Sequence, residues 1–290
     1  MIDFVLVPVD GSEPATAALD YALDIAATHG ATVQLLYVAN TNKPSLTQYE
    51  GSVVDVLEQE GEDVLSDARE RATKQDIPIT DDLVQGDPRE AIVDAAAPDF
   101  VDLVVMGTHG RDSLEKYVLG SVTEHVVNAC ESPVLAVRTD EDARQPYPYA
   151  DVLVPTDGSD SARKALEFAA EIATRYGATL HLLSIVDEPT LGAAVGSSPV
   201  RDQLEDNARE RVASEAALVR EAGGDDVETM VKTGAVPETV RSFAADVDAD
   251  LIVMGTHGRT GLDERFLGST TERVLRTAPV PVLTIGVAEG

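Results

Sequence analysis

No tryptophan occurs in these 290 residues, and aromatics make up only 4% of them. Any core must therefore rest on Val, Leu, Ile and Ala. The apolar share of 43% is enough for packed domains and does not fit a disordered chain. A lone cysteine, Cys130, excludes an intrachain disulfide. Beside Ala129 in a helical pattern, it reads as a small buried residue. No apolar run approaches the ~20 residues that a membrane helix requires. Met1-Ile2-Asp3-Phe4 has no basic stretch of the kind that opens a signal peptide, so a soluble cytoplasmic protein is expected.

Basic residues are also scarce. Lysine occurs only at Lys43, Lys74, Lys116, Lys164 and Lys232, and the 22 basic residues face 52 acidic ones, a net charge of -30. Nucleic acid is not an expected partner, because neutralising phosphates needs clustered Lys and Arg. An anionic membrane surface is disfavoured for the same reason. The acid runs along the whole chain and reads as a solvated surface. High acid with little lysine resembles proteins of salt-loving archaea. At molar salt the Debye length shrinks to about 3 Å, which screens self-repulsion. Lower stability in low salt is expected.

The chain repeats itself at an offset of 147 or 148. Val7-Pro8-Val9-Asp10-Gly11-Ser12 returns as Val154-Pro155-Thr156-Asp157-Gly158-Ser159. Val105-Met106-Gly107-Thr108-His109-Gly110-Arg111 returns as Val253-Met254-Gly255-Thr256-His257-Gly258-Arg259. Leu119-Gly120-Ser121 returns as Leu267-Gly268-Ser269. These are duplicated domains, expected at 1–139 and 150–290. Asp140, Glu141, Asp142, Pro146 and Pro148 mark an exposed linker over 140–149.

Within each copy, strands alternate with helices. The first copy offers strands at Phe4-Val9, Thr32-Val38, Asp82-Val84, Leu103-Met106 and Val134-Val137. The second offers Val152-Thr156, Thr179-Ile185, Val227-Val231, Leu251-Met254 and Val282-Ile285. Near-continuous apolar strands separated by amphipathic stretches predict an α/β fold: a parallel sheet, right-handed crossovers and helices on both faces. Residues 53–73 read as one long helix. The loops 40–51 and 187–199 read either as lids or as plain solvated connections.

In such sheets ligands bind beyond the carboxyl ends of the strands. Asp10, Asp157, Gly107 and Gly255 stand at those ends. Glycines permit the positive φ and close approach with which a backbone turns its N–H groups toward an anion. Ser121 and Ser269 begin helices, so their hydroxyls and the free N–H groups there can receive a phosphate. Each element has a plainer reading too: glycines at structural turns, Ser121 and Ser269 as N-caps, Asp10 and Asp157 as turn formers. His109 and His257 show no serine, cysteine or carboxylate arranged as a relay, so loop positioning or a phosphate hydrogen bond is expected rather than catalysis. His29, His125 and His181 read as structural. No Cys/His cluster suggests zinc, and neither the P-loop lysine motif nor a nucleophile elbow is present.

Gly107-x-x-Gly110, nine residues, then Gly120-Ser121 resembles the nucleotide signature of ATP-binding universal stress proteins, and Gly255-x-x-Gly258 with Gly268-Ser269 repeats it. The resemblance covers nearly the whole chain. It implies two Rossmann-like domains of the adenine nucleotide alpha hydrolase type, each with five parallel strands in the order 3-2-1-4-5. It implies an adenine nucleotide, ATP-like, in each. Asp10 and Asp157 would lie by the sugar or by a Mg²⁺ carried with the nucleotide. Val38 and Ile185 would meet adenine through their backbones, and the Gly and Ser positions would hold phosphate. The expected set is completed by Pro8, Val9, Met106, His109 and Val122 in the first copy. Pro155, Thr156, Met254, His257 and Thr270 complete it in the second.

Single-domain members dimerise, so the two domains are expected to pair internally, and further homodimerisation stays open. Asp112-Ser113 departs from the small residue and glycine that Thr260-Gly261 retains, and Glu115 and Asp263 add acid to both loops. These departures favour the second site. A nucleotide-binding stress-response or signalling module without catalytic residues is the expectation. A slow Mg-dependent hydrolase or phosphotransferase, and a nucleotide-independent scaffold docking on an unknown protein, are the alternatives.

Overall fold

The computed structural model describes residues 2–42, 46–49, 52–110, 118–139, 143–187, 199–224, 226–258 and 267–286. Arg111, Asp112, Ser113, Glu115, Arg259, Thr260, Gly261 and Asp263 lie outside them, as do Asp140 to Asp142 and most of the 187–199 loop. The chain divides into two compact units, Met1–Glu141 and Asp142–Gly290.

In the first unit the elements run β1 (Phe4–Pro8), α1 (Glu13–His29), β2 (Thr32–Asn40), β3 (Leu46–Tyr49), β4 (Ser52–Asp55), α2 (Val56–Lys74), β5 (Ile79–Gly86), α3 (Pro88–Ala96), β6 (Leu103–Gly107), α4 (Ser121–Ala129) and β7 (Val134–Val137). Five of the strands form a parallel sheet in the order β5-β2-β1-β6-β7. Counting those five in chain order gives 3-2-1-4-5, as the resemblance implied. The order reverses between β1 and β6, which opens a crevice at their carboxyl ends. Helix α1 packs with α2 and α3 with α4, so right-handed crossovers place one pair on each face.

Local chemistry fixes the ends of α1. Ser12 caps it by accepting from the Ala15 amide at 3.3 Å. Gly30 closes it in the left-handed region, at φ 71°, where a side chain would be strained. All of β6 is buried, and Val5, Leu6, Val7 and Leu35 have no exposed surface. Each such side chain contributes roughly 1.5–3 kcal/mol.

The second unit repeats the plan with β8 (Asp151–Pro155), α5 (Asp160–Tyr176), β9 (Thr179–Asp187), α6 (Pro199–Glu221), β10 (Val227–Gly234), α7 (Val236–Asp246), β11 (Leu251–Gly255), α8 (Ser269–Thr277) and β12 (Val282–Ile285). Its sheet order, β10-β9-β8-β11-β12, is again 3-2-1-4-5 and parallel. Among the described residues, no helix is long and apolar enough to cross a membrane.

Tyr37 on β2 is buried against Gly61 of α2, where a Cβ would fall 2.5 Å from the ring. A mid-helix glycine costs about 1 kcal/mol relative to alanine, but here the ring occupies its space. The second unit has Ser184 and Ala208 at the corresponding positions, both buried.

Three expectations need correction. The stretch read as loop and helix onset contains a hairpin, Leu46–Tyr49 with Ser52–Asp55, and the helix starts at Val56; Val53-Val54 favours extended backbone. Strand β5 runs Ile79–Gly86, far beyond Asp82-Val84, because an edge strand alternates exposed and covered residues rather than forming an apolar run. Part of the linker is not exposed. Tyr149 is buried, and its ring meets Tyr147 and Tyr176 edge to face at centroid distances of 5.3 and 5.4 Å.

Cys130 closes α4 and is 6% exposed; burial pushes its thiol up to about 12. The folded protein is therefore expected to resist a thiol-labelling disulfide reagent at pH 8, with full labelling only in denaturant. Immediate stoichiometric labelling of the native protein would contradict this burial.

Candidate functional site

In the first domain a cavity of about 560 Å³ opens at the carboxyl ends of β1, β2 and β6. All eleven expected residues of that copy line it: Pro8, Val9, Asp10, Val38, Met106, Gly107, His109, Gly110, Gly120, Ser121 and Val122. The sequence reading missed Leu36, Tyr37, Asn40, Leu57, Glu60, Pro88, Ile92 and Thr123, which also line it. Most of these come from α2, α3 and the side of β2, and only the topology brings them here. Thr123 had a visible signal, since Gly120-Ser121-Val122-Thr123 repeats as Gly268-Ser269-Thr270-Thr271.

The β1–α1 turn aims Asp10. Its Oδ1 accepts from the Ser12 amide at 2.9 Å. Its Oδ2 faces Gly110, where a Cβ would lie 2.6 Å away. The base of the 109–119 loop is pinned. The Thr108 amide donates to Val137 O at 3.0 Å, and the Gly120 amide donates to Thr108 O at 2.8 Å. Thr123 Oγ1 donates to Gly107 O at 2.8 Å, tying α4 to the end of β6. His109 Nδ1 sits 3.2 Å from Thr108 Oγ1, which orients the ring within the cavity wall.

Helix α4 presents its N-terminus to the cavity. Its N-cap is Gly120, with no side-chain cap bond, whereas α1, α3 and α5 are capped by Ser12, Asp87 and Ser159. Ser121 therefore stands at the first helical position and is not the cap, and the same holds for Ser269 behind Gly268. First-turn N–H groups without a side-chain acceptor, together with the helix dipole, form an anion-binding end.

Of the two parts expected of the glycines, positive φ and close approach, only the second is observed at the Gly-x-x-Gly and Gly-Ser motifs. None of Gly107, Gly110, Gly120, Gly255, Gly258 and Gly268 has positive φ; Gly11 and Gly158, in the Asp-Gly-Ser turns, do, at 75° and 78°. The motif glycines serve close approach. At Gly107 a Cβ would lie 2.7 Å from Pro14 Cβ and 2.8 Å from its backbone carbon, and at Gly255 it would meet Ser161 at the same two distances. These two are demanded by helix packing on the strand. Among the described residues, Gly110 and Gly258 meet an aspartate carboxylate and no backbone atom, and Gly110 lines the cavity.

The second domain places its residues alike. Pro155 ends β8, and Thr156 and Asp157 follow it. Ile185 lies on β9 two residues beyond Leu183, the partner of Pro155. Met254 and Gly255 end β11, His257 and Gly258 follow, and Gly268, Ser269 and Thr270 open α8. Asp157 Oδ1 accepts from the Ser159 amide at 2.9 Å, and Oδ2 lies 2.9 Å from where a Gly258 Cβ would stand. The Gly268 amide donates to Thr256 O at 3.2 Å, and Ser161 Oγ donates to His257 O. His257 Nδ1 lies 3.0 Å from Thr256 Oγ1.

The first cavity fits a nucleotide by size, since small-molecule sites run to about 300–1,000 Å³. It has apolar walls at β2 and an anion-binding end at α4. Among the described residues no group of three or more His, Cys, Asp or Glu could hold a metal ion. A Mg²⁺ here would need the phosphates of its nucleotide as ligands beside Asp10 or Asp157.

Comparison with known proteins agrees with this architecture. The profile of the universal stress protein family matches residues 1–138 and again 148–286. A universal stress protein of Methanocaldococcus jannaschii is 33% identical over 137 residues, covering 46% of this chain and 81% of its own. One from Mycobacterium tuberculosis is 29% identical over 290 residues, covering 96% and 95%. The crystal structure of a universal stress protein from Archaeoglobus fulgidus matches with a TM-score of 0.74 at 25% identity, over 99% of each chain. With both halves matched and the fold shared end to end, the chain belongs to the universal stress protein family, as a tandem two-domain member.

Proposed function

We propose that each domain binds an adenine nucleotide of the ATP type and that the protein acts as a non-catalytic stress-response or signalling module in the cytoplasm. One observation carries the reading. In both domains an aspartate carboxylate faces a glycine that lacks the side chain to block it, and a helix without a side-chain cap starts beside them. Base, sugar and phosphate each have a counterpart. The backbone of Val38 or Ile185 meets the adenine edge, with Leu36, Ile92 and Met106 as apolar walls in the first domain. Asp10 or Asp157 takes the sugar hydroxyls or a Mg²⁺ travelling with the nucleotide. The first-turn amides at Ser121 and Val122, or Ser269 and Thr270, take phosphate, with His109 or His257 as a further donor. No general base or P-loop lysine is assigned to a transferring phosphoryl group, so turnover is not part of the proposal.

Purification in high salt, denaturation and chromatography of what is released should yield an adenine nucleotide. Incubation of the refolded protein with Mg-ATP should leave the ATP intact. Steady release of ADP would favour a hydrolase instead. Neither retained nucleotide nor ATP binding would leave only a scaffold.

A further inference from the structure

The two domains differ behind their candidate sites. The buried positions Gly61, Leu65, Ala68 and Ala72 of α2 match Ala208, Val212, Glu215 and Val219 of α6 in spacing. That register places Arg211 where the first domain has Val64, and Glu215 where it has Ala68. On the strand side Thr156 stands in place of Val9. In the first domain Val9, Gly11, Val64 and Ala68 line an open crevice of about 660 Å³ between α1 and α2.

In the second domain the counterparts are joined to one another. Thr156 Oγ1 donates to Glu215 Oε1 at 3.0 Å and accepts from the Gly158 amide at 3.2 Å. Arg211 Nη1 donates to Ser184 Oγ at 2.9 Å, and its stem covers Gly158, where a Cβ would lie 3.0 Å from Cδ and Nε. Thr156 is 5% exposed and Glu215 7%, and Glu215 Oε2 has no hydrogen-bond partner. Burial pushes the Glu215 carboxyl up; the bond from Thr156 and the charges of Arg211 and Arg163 oppose the rise, and Asp157 adds to it. An under-partnered buried carboxyl is costly, and the first domain fills its place with an alanine. What Glu215 supplies is a tether from α6, through one hydroxyl, to the turn that carries Asp157.

We propose that Glu215, acting through Thr156, is a positioning residue for the second site: it fixes the turn that aims Asp157 at Gly258, a hold that the first site lacks. The inference rests on the nucleotide reading above. Asp157 is fastened on one side by the Ser159 amide and on the other by the tethered backbone of Thr156 and Gly158. In the first domain the Ser12 amide makes the equivalent of the former bond to Asp10, while Val9 and Ala68 have no polar side-chain atoms with which to build the latter.

The test uses the full chain in molar KCl, with Gly110→Val to silence the first site and Mg-ATP as the titrated ligand. Thr156→Val, which installs the first domain's own residue at nearly constant volume, should weaken binding about tenfold, the scale of one lost hydrogen bond in an organised site. Glu215→Ala should do the same. Glu215→Gln, which keeps the acceptor, should bind like the parent. Hydrogen exchange at the Gly158 amide should speed up in the first two variants and stay slow in Glu215→Gln. Equal affinity and equal exchange in all three overturns the proposal, as does loss of binding in Glu215→Gln as well. If the Gly110→Val parent takes no ATP, the nucleotide reading fails instead, and exchange at Gly158 still decides whether Glu215 holds the turn.

Discussion

Gly110→Val combined with Gly258→Val is expected to abolish nucleotide binding while the protein stays folded. At each position the new Cβ would stand 2.6 or 2.9 Å from an aspartate Oδ2 and, among the described residues, from no other atom closer than 3.7 Å. A carboxylate at the end of a short side chain can swing away, so the fold absorbs the change. The swing removes Asp10 and Asp157 from the ligand, and the two methyl groups intrude where phosphate would rest. A loss of at least a hundredfold in affinity, about 2.7 kcal/mol per site, is expected by calorimetric titration. The midpoint of thermal unfolding should move little. Gly107→Ala is the contrasting control. Its Cβ would press on the Pro14 backbone in α1, which cannot swing away, and overpacking of this kind costs about 1–3 kcal/mol. Its main effect should therefore be on stability. If the paired valine variant binds normally, or if it unfolds while Gly107→Ala does not, the division between cavity and packing glycines is wrong.

Transfer from molar to millimolar KCl is expected to lower the unfolding midpoint by about 10 °C or more. With 52 acidic residues against 22 basic ones, net repulsion among carboxylates is the term that salt screens. The ion pairs present do not offset this. Arg71 with Asp20, Lys74 with Glu70 and Arg209 with Asp206 are exposed pairs at 3.0, 3.0 and 2.7 Å, a class of interaction that contributes from nothing to about 1 kcal/mol. Low salt strengthens those few attractions and, by more, the repulsion among the surplus carboxylates. A midpoint that holds or rises in millimolar KCl would show that the acidic surface is not an adaptation to salt.

Duplication is what made the sequence informative. A single Gly-x-x-Gly turn carries little weight, but two copies at a fixed offset identified Asp10, Gly110 and Ser121 together, and these line one cavity. The central strands were legible because burial on both faces leaves a continuous apolar run, as in Leu103–Gly107. Strand β5 was not, since Ile79–Gly86 alternates like a surface strand. Residues reaching the cavity from α2 and α3, such as Glu60 and Ile92, carry no local signal, because the crossovers alone bring them there. Ser12 and Ser159 proved to be caps, while Ser121 and Ser269 did not. Both kinds of serine precede a helix, and only backbone geometry separates a cap from a first helical residue. Thr156 and Glu215 are 59 residues apart, and nothing in the spacing of either announces the bond between them.

The central claim is that both halves hold a nucleotide through the same paired turn. Equilibrium dialysis of radiolabelled ATP against the full chain in molar KCl addresses it directly. Saturation near two nucleotides per chain is expected, falling to near one when either Gly110 or Gly258 alone becomes valine. No saturable binding by the parent, or a stoichiometry that neither substitution changes, would contradict it.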